Sequence, residues 1–490
     1  MRIEEILTIY GGNTVQSFEG EVVALTYDSR AVEKGSCFFA IKGTVCDGND
    51  FIGVAAEKGA AVVVCERMPE GDELRDGVTY VVVESAQKAM AQVAKAFYGD
   101  ASRELKLVGI TGTNGKTTTA TMLADLFEQM GYKAGLISTV TYRIGSKHYN
   151  STHTTPDTLR LNALLRQMVD EGCEYCFMEV SSHSVVQDRI AGLTFAGAVF
   201  TNLTHDHLDY HGTFAEYLKA KKGLFDSLSK SAFALVNIDD KNGDVMLQNC
   251  AAKKLRYSLR SMADYRAKVV EMHFDGMMLQ LQGEELWARI LGRFNAYNLL
   301  AAYGVAEQFG ISKEEILVAL SQLGAVSGRF EHFAAPGDRT VIVDYAHTPD
   351  ALKSVLNTID EICGGSGRGV VTICGCGGDR DKSKRGDMAR IAYQGSSLAI
   401  FTSDNPRSED PEAILAEMID GVKSEPRSAE RRWLKITDRA EAIRTAIMMS
   451  NPGDVILIAG KGHETYQIIG STKIDFDDRV HARAAIEQYL

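Results

Sequence analysis

At 490 residues and 45% apolar content, the chain is long enough for about three cored domains, and its net charge of −12 argues against general affinity for nucleic acid. No apolar run approaches membrane-spanning length, and the start, MRIEEILTIYGG, carries acidic residues without an apolar core of signal length, so neither membrane insertion nor secretion is expected. Nine cysteines, odd in number and scattered, fit reduced thiols in a cytoplasmic protein.

Residues 1–100 form a first unit. Short strands are expected over 22–27, 37–41, 61–65 and 79–83, with helices over 51–58 and 86–98. Asp28-Ser29-Arg30 follows one strand and a Gly-rich loop, 43–48, follows another; turn chemistry alone accounts for both.

The second unit, 101–329, opens with LKLVGITGTNGKTTTATMLADLFEQMG. A buried strand over 105–110 runs into Gly112-Thr113-Asn114-Gly115-Lys116-Thr117-Thr118, and a helix is expected over 117–130. A Gly-rich turn entering a helix aims backbone N–H groups at an anion, and the helix dipole adds to the attraction. Lys116 can reach the outer phosphates of a nucleotide, and the Thr117 hydroxyl can sit on Mg²⁺. The strict Walker pattern would place its first glycine where Ile110 stands, so this is a variant P-loop. Alternating strands and helices beyond it predict a mainly parallel, doubly wound sheet.

Two further stretches of this unit carry chemistry. YCFMEVSSH is an apolar strand ending in Glu179, then Ser181-Ser182-His183. A carboxylate at a strand's C-terminal end, on the P-loop edge, is placed to hold Mg²⁺. The second stretch, HDHLDYH over 205–211, precedes a helix with Lys219, Lys221 and Lys222. This His spacing is not a closed zinc site, and one imidazole such as His207 beside carboxylates is unusual but possible for Mg²⁺. By themselves the lysines read as a solvated helix face. LGRFNAYN (291–298) leads a helix over 299–309, with Asn295 expected as its cap and Asn298 on its polar face. SGRFE (327–331) reads as a linker containing Arg329. Cys173-x-x-Cys176 and Cys374-Gly-Cys376 lack a second pair at zinc spacing and read as buried structural thiols.

The third unit, 330–490, repeats the alternation. Strands over 340–344, 370–374, 398–402 and 455–458 end in DYAHTPDAL, GCGGDRDKSKR, SDNPRSEDP and AGKGHETYQ. Ligands of open α/β sheets bind at the carboxyl ends of strands, so four such loops point to a site.

Taken together, GTNGKTT, EVSSH, TNLTHDHLDYHG, YLKAK, LGRFNAYN, SGRFE and DYAHTPD, in this order, resemble the Mur ligase family, the ATP-dependent amino-acid-adding enzymes of peptidoglycan precursor synthesis. TYDSR, THTTPD, GCGGDRD, DNPR and GKGHETYQ are similar to the branch that adds diaminopimelate as the third residue. The resemblance implies three α/β domains: an N-terminal UDP-binding domain, a central P-loop ATPase and a C-terminal Rossmann-like domain that brings the amino acid. It implies that Ser29 and Arg30, with the 43–48 loop, recognise uridine. Thr154, Thr155, Ser181, Gln187 and Arg189 would hold the sugar-peptide part. Lys221 matches the position that is carbamylated, and with Thr117, Glu179 and His207 it would surround Mg²⁺. Asn298, Arg329 and Asp344 would contact ATP. Arg407 and Arg380 would take the second carboxylate of diaminopimelate, and Asp404 and Glu464 its ammonium, with Asn405 and the Gly460 backbone assisting.

The implied reaction forms an acyl phosphate on the D-glutamyl carboxylate of UDP-N-acetylmuramoyl-L-alanyl-D-glutamate and resolves it with the amine of meso-diaminopimelate, in a cytoplasmic monomer. Lysine or another diamine as the substrate, a glutamate-adding folate ligase, and a nucleotide-regulated scaffold are the alternatives.

Overall fold

The computed structural model describes residues 1–9, 13–15, 18–43, 46–204, 206, 208–426 and 431–490. Its strands gather in three main sheets that follow one another along the chain.

The first sheet has five strands. Ala24–Thr26, Ser36–Phe39, Val62–Cys65 and Thr79–Val82 run parallel, and the short strand Asn13–Val15, with no counterpart in the expected elements, joins the edge antiparallel. Side chains alternate between faces along a strand. Cys37 and Phe39 therefore pack under the helices Ile3–Ile9 and Ala86–Phe97, while Phe38 and Ala40 pack under Ile52–Glu57. With both faces covered, the strands read as near-continuous apolar runs.

The central sheet has eleven strands. Lys106–Thr111 lies near its middle, between Gly197–Phe200 and Tyr175–Glu179, all parallel. Val108 and Ile110 face the helix Lys116–Gln129; Leu107 faces the layer of Thr158–Asp170 and Phe214–Asp226. The expected parallel sheet is thus the core of a mixed one. Antiparallel hairpins finish both edges: Thr141–Ile144 with Lys147–Asn150 at one, and Tyr265–His273, Gly276–Leu281 and Glu284–Ala288 at the other. The two residues between the last strands, Gln282 (φ 49°) and Gly283 (φ 87°), both sit in the left-handed region, the signature of a type I′ hairpin turn.

The helix expected over 299–309 runs instead from Arg293 to Gln308. It starts at Gly292, so Asn295 is inside the first turn and is not its cap. Its amide donates to Leu291 O at 2.7 Å and accepts from Asn298 Nδ2 at 2.9 Å. Asn298 is buried with it rather than on a polar face.

The third sheet has six strands, parallel except for the first, Glu331–Ala335. Helices cover both faces, and one apolar cluster runs from the central P-loop helix through Val326 and Phe330 into this domain. Among the described residues no helix is long and apolar enough to cross a membrane.

All nine cysteines are free; Cys46 is exposed, Cys363 half-buried and the rest buried, including Cys173, Cys176, Cys374 and Cys376. Burial pushes the Cys65 and Cys376 thiols up to about 12. A thiol reagent is therefore expected to label Cys46 at once, Cys363 slowly and the others only on unfolding. Fast labelling of a third thiol in native protein would contradict this packing.

Candidate active site

The strand Lys106–Thr111 delivers the chain into the P-loop, and the helix Lys116–Gln129 starts directly after Gly115. A side chain at Gly112 would collide with the Thr201 hydroxyl, and a Cβ at Gly115 (φ 86°) would lie 2.8 Å from Asn298 Oδ1. Both positions need glycine because neighbouring loops press against the backbone. Asn202 Oδ1 accepts from the Asn114 N–H at 2.9 Å, and the Thr113 hydroxyl meets Tyr217 OH at 3.1 Å. Lys116 is folded back, donating to Gly112 O at 3.0 Å and Thr113 O at 2.9 Å. Burial, opposed by Glu179 and Asp206, holds its ammonium below the ordinary lysine range.

Lys221 points at the same carbonyl. The helix Phe214–Asp226 exposes Lys219, pairs Lys222 with Asp226, and buries Lys221, whose Nζ donates to Gly112 O at 2.7 Å and lies 4.7 Å from the Tyr217 ring. The reading of these lysines as one solvated face therefore fails at Lys221. Burial first, then the neighbouring Lys116, pushes its pKa well below that of an ordinary lysine. Two amines converge on one carbonyl, an arrangement that calls for an anion.

Glu179 ends the strand Tyr175–Glu179 and is 1% exposed. Oε1 accepts from the Thr139 N–H at 2.7 Å; Oε2 is buried without a hydrogen-bond partner. His207, expected beside it, lies outside the described residues, as does His205. Around Glu179 the structure gathers the other residues of this edge. Thr155 donates to Glu179 O at 2.8 Å and accepts from the Ser181 N–H at 3.1 Å. The Thr139 hydroxyl donates to Thr154 at 3.0 Å. Arg189 donates to Gln187 Oε1 at 2.9 Å and to Thr155 O at 2.7 Å. Gln87 of the N-terminal domain donates to Gln187 O at 2.8 Å, tying that domain to the cluster. Ser29 is not part of it. It begins a 3₁₀ turn capped by Asp28, which pairs with the exposed Arg30 at 2.8 Å. Residues 44 and 45 of the neighbouring loop lie outside the described residues.

A cavity of about 450 Å³ opens between the P-loop and the C-terminal domain, lined by Asn114, Gly115, Thr118, Asn298, Arg329 and Asp344. Asn298 Oδ1 accepts from Thr119 at 3.1 Å, and Arg329 Nη2 donates to the Thr117 hydroxyl at 3.1 Å while its guanidinium stacks 4.5 Å from Tyr345. Asp344 accepts from the N–H groups of Phe330 and Ala346, both at 2.7 Å, and burial raises its pKa. Sequence reasoning missed Asp239, Tyr297, Tyr345 and His347 on this wall. Tyr297 OH donates to Asp239 at 2.8 Å. Tyr297, Tyr345 and His347 stand inside LGRFNAYN and DYAHTPD, so the motifs held the signal.

In the third domain the loops after parallel strands converge as expected. Asn405 Nδ2 donates to Glu464 Oε2 at 2.8 Å, and the Asp404 carboxylate packs so close to Gly460 that a Cβ there would be 2.6 Å from Oδ2. Arg407 (φ 52°) is half-buried and donates to Gly378 O at 2.8 Å. Arg380 stands on the exposed rim beside Gly377, next to Arg407. Lys461 was not singled out, yet it is fully buried here. The loop packs on the 327–331 linker: a side chain at Gly328 would strike the backbone of Gly462 and His463.

Three family descriptions match in succession: "Mur ligase family, catalytic domain" over 21–98, "Mur ligase middle domain" over 110–306 and "Mur ligase, glutamate ligase domain" over 328–462. The UDP-N-acetylmuramoyl-L-alanyl-D-glutamate–2,6-diaminopimelate ligase of Bacteroides fragilis is 51% identical over 480 residues, 98% of each chain; that of Geobacillus kaustophilus is 45% identical over 489 residues, 98% of this chain and 96% of its own. A solved structure of a ligase of the same description superposes with a TM-score of 0.70 at 32% identity, covering 99% and 98% of the two chains. The folylpolyglutamate synthase of Mycobacterium tuberculosis shares the fold alone, at 18% identity and a TM-score of 0.62, over 77% of this chain and 93% of its own. With identity of this order sustained from end to end, and with the P-loop, the 327–331 linker and the C-terminal loops packed together as described, the chain belongs to the Mur ligase family.

Proposed function

We propose that this chain joins meso-diaminopimelate to UDP-N-acetylmuramoyl-L-alanyl-D-glutamate, consuming ATP and releasing ADP and phosphate in peptidoglycan precursor synthesis. The observation that carries the reading is the convergence of Asp404, Asn405, Arg407 and Glu464 at one sheet edge, joined to the P-loop by the linker in which Gly328 packs against Gly462 and His463 and Arg329 donates to Thr117. The relatives at 51% and 45% identity bear the name of this activity.

The chemistry follows from what each group can hold. The D-glutamyl carboxylate is a poor electrophile until an oxygen of it attacks the γ-phosphorus of ATP, breaking the bond to ADP. Released from Gly112 O and Thr113 O, Lys116 turns to the phosphates, and the P-loop N–H groups and Arg329 oppose the charge that develops. Asn298 and Asp344 hold the nucleotide side of the cavity. Arg189, Gln187, Thr154, Thr155 and Ser181 orient the sugar-peptide arm, with Ser29 at the uridine end. The amine of diaminopimelate, delivered unprotonated, attacks the acyl carbon; the C–O bond to phosphate then breaks and the amide forms, with one proton lost to solvent. Closure of three domains around three substrates keeps water off the acyl phosphate.

Mg²⁺ fits this edge. Glu179 Oε2 is a buried carboxylate oxygen without a partner, and among the described residues no three His, Cys, Asp or Glu side chains gather as a ready-made site. Glu179, Thr117, His207 and a carbamylated Lys221 would hold the ion, which supplies charge neutralisation at the phosphates when bound. The reading places the enzyme in the cytoplasm, where ATP and the UDP-linked substrate are, working as a monomer.

The test is phosphate release from ATP and Mg²⁺ with the UDP-linked dipeptide, comparing meso-diaminopimelate with L-lysine. Release with diaminopimelate alone is expected. Release with lysine would keep the ligase and discard the reading of DNPR; no amino-acid-dependent release from folded protein would leave a nucleotide-binding scaffold.

A further inference from the structure

One charged side chain in the amino-acid loops has no part in the chemistry above. Lys461 follows Gly460 and is 0% exposed. Its Nζ donates to Glu464 Oε2 at 3.0 Å and to Asn405 Oδ1 at 3.3 Å, and lies 5.5 Å from the centre of the Tyr466 ring. Asn405 Nδ2 donates to the same Glu464 oxygen at 2.8 Å, so the three side chains close a triangle. The Ile468 N–H also donates to Asn405 Oδ1, at 2.9 Å. With two donors facing that oxygen, the amide NH₂ must turn to Glu464.

An ammonium is buried only where acceptors compensate it, and both side-chain acceptors of Lys461 belong to the amino-acid site. Both donors to Glu464 meet at Oε2; among the described residues no hydrogen bond reaches Oε1. Gly460, whose missing Cβ makes room for Asp404, fixes the backbone from which Lys461 departs. We propose that Lys461 is a positioning residue for the amino-acid substrate: it locks Glu464 through Oε2 and leaves Oε1 to accept the substrate's ammonium. The proposal rests on the assignment of loops 404–407 and 460–464 to diaminopimelate.

Steady-state kinetics of full-length K461M test it. A lost charge-assisted hydrogen bond at Glu464 is expected to raise KM for meso-diaminopimelate by about 10- to 30-fold, with kcat and the KM values for ATP and the UDP-linked substrate within about threefold of wild type. K461Q, whose amide can still donate to Glu464, recovers part of the loss and carries the same test if the Met variant does not fold. Because Lys461 acts through Glu464, K461M in an E464A background is expected to change KM by less than about twofold. Unchanged KM in K461M, a fall in kcat alone, or full additivity with E464A would overturn the proposal. An R407A variant separates the premises: if it too leaves KM for diaminopimelate unchanged, the loop assignment has failed; if it alone raises KM, only the role of Lys461 has.

Discussion

Lys221→Ala is expected to lower turnover by roughly 10³-fold, about 4 kcal/mol of transition-state stabilisation, with little change in the KM for diaminopimelate. The argument starts from the Gly112 carbonyl, which accepts from Lys221 at 2.7 Å and from Lys116 at 3.0 Å. Two cations do not share one carbonyl without cost where Lys221 is only 2% exposed, and burial together with Lys116 drives Lys221 toward the neutral amine. A neutral amine adds to CO₂, forming an N–C bond and releasing one proton, and becomes a carbamate. On the proposed reading, that change would turn a cation into an anion beside Lys116, on the edge where Glu179 keeps a buried oxygen without a partner for a divalent ion. Alanine removes the anion; arginine keeps a cation that cannot be carbamylated and is expected to fail equally. Labelled bicarbonate should give a ¹³C carbamate resonance in wild type that both variants lack. An Arg variant with wild-type turnover would refute the role.

What could be read from the sequence was whatever local chemistry dictates. The P-loop was legible because Gly112 and Gly115 stand at positions where neighbouring loops exclude a side chain, and the parallel strands because burial on both faces makes them continuously apolar. The hairpin over 276–288 was not legible: its turn at Gln282-Gly283 lacks the Asn-Gly or Asp-Gly that announces a type I′ hairpin. Asn295 looked like a cap because it is a capping residue type near a helix start, yet Gly292 takes that place and Asn295 satisfies Leu291 O instead. Residue chemistry alone obscured Lys461 and, the family resemblance apart, Lys221 too, for one reason. A lysine's charge predicts exposure, and only the tertiary fold tells that Gly112 O receives Lys221 and that Glu464 and Asn405 receive Lys461. DYAHTPD contains Tyr345 and His347, but that they share a cavity with the P-loop depends on how two domains meet, which no local pattern records.

Arg407→Ala is expected to cut kcat/KM for meso-diaminopimelate roughly 100-fold, about 3 kcal/mol, which lies within the 2–5 kcal/mol for truncating one partner of a hydrogen-bonded charge pair. The lower part of that range applies because Arg407 is half-buried, not fully buried as its role in rejecting lysine would have it, and because its Nη1 already donates to Gly378 O at 2.8 Å. The backbone gives a control. Arg407 sits at φ 52°, and its N–H and C=O pair with Ile468 and Gly470 at 3.1 and 2.7 Å, so alanine inherits the same strain and the same anchoring. The loop should keep its path while the guanidinium goes. L-lysine has no second carboxylate for that guanidinium, so any residual turnover with lysine at high concentration should change by no more than about threefold, and the preference for diaminopimelate should fall by the same factor as its kcat/KM. Arg407→Lys keeps the charge but loses the planar fork and belongs between the two. Equal losses with both amino acids would assign Arg407 to holding the Gly378 loop rather than to selecting substrate. An unchanged KM and turnover with diaminopimelate would remove it from the site, and with it the physical reason this edge of the sheet tells diaminopimelate from lysine.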